Sequence, residues 1–141
     1  MTRKEAFALM FEGIGHDRAR YVELKGLLDQ QFRAALRRDG AALTVTGNAI
    51  LALADTLNAS HDERKRCARV LSGAVRPGTM SDVCASLSGL AGDAMRGEWR
   101  KLEAQVVECH RLNRRNASLI TSQFEIMQRV LHGESNTYVR T

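Results

Sequence analysis

At 141 residues, with 44% hydrophobic and 26% charged residues and one proline, the chain has the length and apolar content of a single folded domain. So few breaks exclude a strand-and-turn architecture, and the dominance of Ala, Leu, Arg and Glu favours long helices. The net charge of +5 is interleaved with acids rather than gathered into a block, which permits an acidic partner without requiring one.

The first helical pattern covers about Arg3 to Arg38, where Phe7, Phe11, Ile14, Tyr21, Leu24, Leu28, Phe32 and Ala35 recur by threes and fours. Asp39-Gly40 reads as its stop, glycine tolerating the left-handed conformation that ends helices. The second pattern runs from about Ala42 to Gly73, with Leu43, Thr46, Ile50, Leu53, Leu57, Ser60, Arg64, Cys67 and Leu71 in 3-4 alternation and a polar middle at Ser60 and Arg64. Val75 to Thr79, which holds Pro77, is the strong break, and Ser81 is the expected N-cap of the next helical segment. Glycines at 89, 92 and 97 predict a short helix with a kink or joint before the last helix, and Gly133 is the expected cap of that helix. The expected architecture is all-α: an elongated antiparallel bundle of three long helices, coiled-coil-like, forming one domain over 1–133 with a flexible tail over 134–141.

Chemistry finds little to stand on. The four histidines are dispersed, no HExxH, His/Cys ligand spacing or phosphate-binding glycine loop occurs, and no catalytic residue, metal site or cofactor is expected. Three cysteines (Cys67, Cys84, Cys109) in no CxxC pairing, behind an N-terminus without a signal peptide, predict free thiols in a reducing cytoplasm. The apolar runs are short, so no membrane insertion is expected. Arg64, Lys65, Arg66 and Arg69, and again Arg111, Arg114 and Arg115, leave a small nucleic-acid-binding or regulatory protein open as an alternative, although aromatic residues for base contact are few.

The last helix is the most informative segment. At about 100° per residue, Trp99, Leu102, Val106, Cys109, Leu112, Leu119, Ile120, Phe124, Ile126, Met127, Val130 and Leu131 fall in one apolar sector, wider than a coiled-coil seam needs near its C-terminal end. Either two neighbouring helices cover this sector, or one edge (Leu112, Leu119, Ile126) stays open for a partner helix, or the sector is the interface of a helical oligomer. Asn113 and Asn116 interrupt it. They read as a paired polar layer facing Ser60 and Arg64, or as the place where a groove opens to water.

The run Leu112-Asn113-Arg114-Arg115-Asn116-Ala117-Ser118-Leu119-Ile120 resembles the L-N-x-x-N-G-x-L-I pattern of the flagellar export chaperones for hook-associated proteins, the FlgN family. The helix order, the Ile50 to Leu57 segment and a tail tyrosine, Tyr138, follow the same family. The chain departs from it at Ala117, at Val139 after the tyrosine, and at Gly47-Asn48 where a lysine is common. The resemblance implies a cytoplasmic, non-catalytic chaperone that binds amphipathic terminal segments of hook–filament junction proteins and delivers them to the type III export gate. It implies Leu112, Asn113, Asn116, Leu119, Ile120, Ile126, Met127 and Val130 as client-binding residues, with Arg111 and Arg115 on the rim and Tyr138 docking at the gate. No nucleic acid is expected among the partners, and the free protein is expected to be a monomer or weak dimer.

Overall fold

The computed structural model describes residues 1–73 and 79–139, the side chains of 134–139 excepted. Four helices carry the chain: α1 (Arg3–Leu36), α2 (Gly40–Ser72), α3 (Met80–Ser86) and α4 (Gly89–Val139), with no strand among the described residues. The turn expected at Pro77 lies outside those residues.

Short polar side chains set the helix starts. Thr2 opens α1 through a capping box with Glu5. Arg38, not Gly40, takes the left-handed conformation after α1 (φ 55°), while the Asp39 carboxylate accepts from the Ala42 N–H at 3.1 Å and starts α2. Gly40 is thereby the first residue of α2 rather than the end of α1, because an aspartate that can cap reverses the chain sooner than a glycine stop would. Gly73, in the left-handed region, ends α2 as expected. Thr79 caps α3 in place of Ser81, since it completes a reciprocal box with Asp82 at 3.1 Å in both directions. The joint before α4 falls at 87–88. There Arg96 donates to the carbonyls of Cys84 (2.9 Å) and Leu87 (3.3 Å), and a Cβ on Gly92 would lie 3.0 Å from the Leu87 carbonyl carbon. Glycine at 92 lets α4 begin hard against that joint. Gly97 and Gly133 both lie inside α4.

Helix directions follow from side-chain bonds. Arg3 donates to the Leu71 carbonyl and Asp17 meets Ser60 and Arg64, so α2 is antiparallel to α1. Four donors on α4 reach carbonyls of α1 in ascending order: Gln105 to Arg18 (3.0 Å), Cys109 to Tyr21 (3.7 Å, a weak thiol donor), Asn116 to Leu28 (2.7 Å) and Gln123 to Ala35 (2.8 Å). The last three advance by seven residues on both helices, which fixes α4 parallel to α1 and in a single register.

Ala6, Met10, Ile14, Cys67, Ala68, Leu71, Val83, Met95 and Leu102 close a core at the end where all four helices meet. A smaller cluster, Leu28, Cys109 and Leu112, holds α4 to α1 further along. Each fully buried Leu, Ile or Met contributes about 1.5–3 kcal/mol of transfer free energy. α1 packs against both long neighbours, but no Cα of α2 comes within 8 Å of one of α4 among the described residues. α2 is also long and apolar enough, by length and composition alone, to cross a membrane, which the shortness of its apolar runs had hidden. Here it lies along α1, tied to it through Ser60 and Arg64.

Candidate functional site

Two features leave apolar surface uncovered, and both follow from α1 being the central helix. Although Arg64 reaches Trp99, the α2 and α4 backbones do not come within 8 Å of each other among the described residues, and a groove of about 320 Å³ opens between the two helices. Its floor is Tyr21, Leu24 and Leu28 of α1, and its walls include Ile50 and Leu57 of α2 and Val106, His110 and Asn113 of α4. Because α1 stops at Leu36, just after the carbonyl that Gln123 holds, α4 continues without it. Residues 124–133 make about 15 Å of helix past that point. Phe124 is 63% exposed, and Ile126, Met127, Val130 and Leu131 are each about half exposed.

The groove and the overhang share one side of α4. Val106, Asn113, Ile120 and Met127 are spaced by sevens, so each lies about 20° from the last and the strip runs from the groove onto the overhang. Phe124 and Leu131 widen it at i+4 spacing. A second strip, Leu112, Leu119 and Ile126, also advances by sevens, and its burial is graded. Leu112 is buried, Leu119 half-buried and Ile126 exposed. Of the edge expected to stay open, only Ile126 is exposed, since α1 covers this strip for as far as α1 extends.

The two asparagines take different roles. Asn113 is exposed on the groove wall. Asn116 is buried, donating to the Leu28 carbonyl at 2.7 Å and to Gln31 Oε1 at 2.9 Å, while its own oxygen accepts from Arg115 Nε at 3.1 Å. Neither faces Ser60 and Arg64. Those residues meet Asp17 instead: the buried carboxylate accepts from Ser60 Oγ (2.7 Å), Arg64 Nη1 (2.8 Å) and Arg20 Nη1 (2.9 Å), and the Arg64 guanidinium sits 5.3 Å from the Trp99 ring centre. Ile120, Met127 and Val130 are exposed. The side chain of Tyr138 lies outside the described residues.

Many of the arginines that had suggested a nucleic-acid footprint are already engaged. Arg64 is held by Asp17, Arg66 by Glu63, Arg111 by Glu108 at 2.6 Å, and Arg115 by Asp29 at 3.3 Å while stacked 3.8 Å over Phe32. The Arg111 hydrogen bond holds the Glu108 carboxyl below its ordinary range, and Arg18 does the same to Glu98. Burial pushes the thiols of Cys67, Cys84 and Cys109 upward, which keeps them protonated and poorly nucleophilic. No group of three His, Cys, Asp or Glu residues placed to hold a metal ion occurs among the described residues.

Phe124, Leu131 and the α2 wall of the groove went unnamed in the sequence reading of the site. Phe124 and Leu131 were visible within the apolar sector. The α2 wall depends on which helix lies centrally, and periodicity does not report that.

Among the described residues the scaffold is all-helical, with an apolar helix end and a groove left uncovered and many of its charges paired. Its sequence assigns it further: the chain belongs to the FlgN protein family, whose model matches residues 9–133, and it is thus a flagellar export chaperone. No curated protein and no solved structure matches it.

Proposed function

We propose that this chaperone binds amphipathic terminal segments of hook-associated proteins in the cytoplasm and delivers them to the flagellar type III export gate. Client contact falls on the exposed strips of α4: Leu119, Ile120, Ile126, Met127 and Val130, joined by Phe124 and Leu131. Asn113 lines the approach, Leu112 and Asn116 hold α4 to α1 beneath it, and Tyr138 on the terminal segment docks at the gate. The observation that carries this reading is the overhang, a run of half-exposed large apolar side chains past the end of the helix that covers α4 elsewhere. A surface of that kind on a protein of this family is matched by a partner helix laying its own apolar face into it. Junction proteins whose ends are disordered before assembly present such faces, and reversible burial prevents premature association.

The test is size-exclusion chromatography with light scattering, using a hook-associated protein from the same genome in about 0.5 M salt, where exposed charges are screened. The wild type forms a complex of defined stoichiometry. Phe124→Asp/Ile126→Asp loses it while retaining native helicity and melting temperature. A complex that survives this double change places the client elsewhere, and a variant that unfolds shows these residues to be core.

A further inference from the structure

The groove and the strip that leaves it mark a vacant place in a bundle. Leu112 and Asn116 are buried against Leu28 of α1, and Val106, Asn113, Ile120 and Met127 stand about 80° round α4 from the midline between them. On α2, Ser60 and Arg64 hold Asp17 of α1, and the groove residue Ala54 stands about 80° from their midline. A helix in a square array has its two neighbours at right angles, so α2, α1 and α4 occupy three corners with α1 between the other two. The backbones of α2 and α4, which do not come within 8 Å of each other among the described residues, then lie across the diagonal. The groove above Tyr21, Leu24 and Leu28 is the fourth corner. No Asp, Glu, Lys or Arg lines it, in a chain of which 26% is charged. Asn58 and Asn113 stand on its opposite walls, both exposed and without a side-chain hydrogen bond among the described residues.

We propose that the groove between α2 and α4 is the second half of the client site, and that one continuous amphipathic helix of the client fills the fourth corner and runs on along the overhang. This rests on the proposed client reading and adds Ile50, Ala54 and Leu57 of α2 to the binding residues. Continuity selects the occupant. The strip from Val106 to Leu131 is about 38 Å long, which a single helix of about 25 residues matches. A second copy of this chain would supply about 24 Å of uncovered helix, from Phe124 to Val139, and would leave much of that length empty. The side of the client helix that enters the groove carries aliphatic residues at 3-4 spacing and no charge, since a charge there would be desolvated without a partner. A neutral polar side chain level with Asn58 and Asn113 sets the register.

Isothermal titration calorimetry of the full-length protein with a hook-associated protein from the same genome tests this. Ala54→Arg/Asn58→Arg puts two cations into the groove and weakens binding by about tenfold or more, with the melting temperature unchanged. Ala54→Ser/Asn58→Ser binds as the wild type does. Hydrogen exchange on the wild type, which needs no substitution, slows over 50–58 as well as over 120–131 when the client is added. An arginine pair that binds like the wild type, or exchange that slows over 120–131 alone, overturns the proposal. If Phe124→Asp/Ile126→Asp still abolishes the complex in that case, the client lies on the overhang alone and the proposed function stands. If neither pair weakens the complex, both readings fail. Should the arginine pair melt lower than the wild type, the exchange result decides. A free protein that is dimeric by light scattering, and that the arginine pair makes monomeric without weakening the client, assigns the groove to a second copy and overturns the proposal too.

Discussion

Replacing Asp17 by alanine tests whether the polar node at the crossing of α1, α2 and α4 holds the bundle together. The Asp17 side chain is 2% exposed and its carboxylate accepts three hydrogen bonds, from Arg64, Ser60 and Arg20. Without it, the Arg64 guanidinium, whose side chain is 15% exposed, keeps only its contacts with Trp99 and His61. Breaking one side of a buried pair costs about 3–5 kcal/mol. The partial exposure of Arg64 and the ring beneath it place this case at the lower end, near 3 kcal/mol. Arg20 is more exposed and adds little. For a chain of this size, about 3 kcal/mol corresponds to roughly 6–12 °C in melting temperature. Circular dichroism during heating and in urea measures it, and the fluorescence of Trp99, the single tryptophan, reports the node directly. The paired change Asp17→Leu/Arg64→Met removes both charges and recovers most of the loss. A single variant within about 0.5 kcal/mol of wild type, or a double variant as unstable as the sum of its parts, refutes the reasoning.

Asn116→Leu should cost about 1–2 kcal/mol in urea unfolding, since Gln31 and Arg115 each lose a partner, whereas Asn113→Leu on the groove wall should be nearly neutral. A thiol reagent at neutral pH should label half-buried Cys84 first and reach Cys67 and Cys109 only on unfolding. These two thiols are pushed above an ordinary value of 9.0, so above about pH 9 the unfolded chain holds fewer protons than the folded one. Stability therefore falls as pH rises through that range. Urea titrations from pH 7 to 10 on the wild type and Cys67→Ala/Cys109→Ala check this, and the variant's decline should be shallower.

Much of the architecture was legible because it is written in local chemistry. Apolar spacing by threes and fours located α1 and α2 to within a few residues, and the Gly73 stop followed from backbone conformation, whereas α4 begins at Gly89, well before the apolar sector that opens at Trp99, and runs past the expected Gly133 cap. Where two capping residues competed, periodicity could not choose: Asp39 displaced Gly40, and Thr79 displaced Ser81, because each completes hydrogen bonds that the alternative does not. The partners of Asp17 and Asn116 were illegible for a different reason. Each depends on the azimuth at which one long helix meets another, and a stripe fixes only which side is apolar. Ser60 and Arg64 were correctly singled out as polar in an apolar seam, yet their partner sits on α1 rather than α4.

The candidate site shows the same division more sharply. Leu112, Leu119 and Ile126 are similar aliphatic residues, seven apart on one strip, and hydrophobicity does not predict their different burial. Their fates differ because α1 ends between the second and the third. That end is set by Arg38 in the left-handed conformation and Asp39 capping α2, at least 85 residues away in the chain from the surface they expose. The length of the open strip is thus a property of the α1–α2 turn, while its chemistry belongs to α4. A two-turn extension of α1 would carry it over Ile126 and Val130, at about 1.5 Å per residue, without touching α4. If the overhang is the client site, such a variant keeps its stability and loses its client. If it binds as well as the wild type, the partner must instead enter by the groove between α2 and α4.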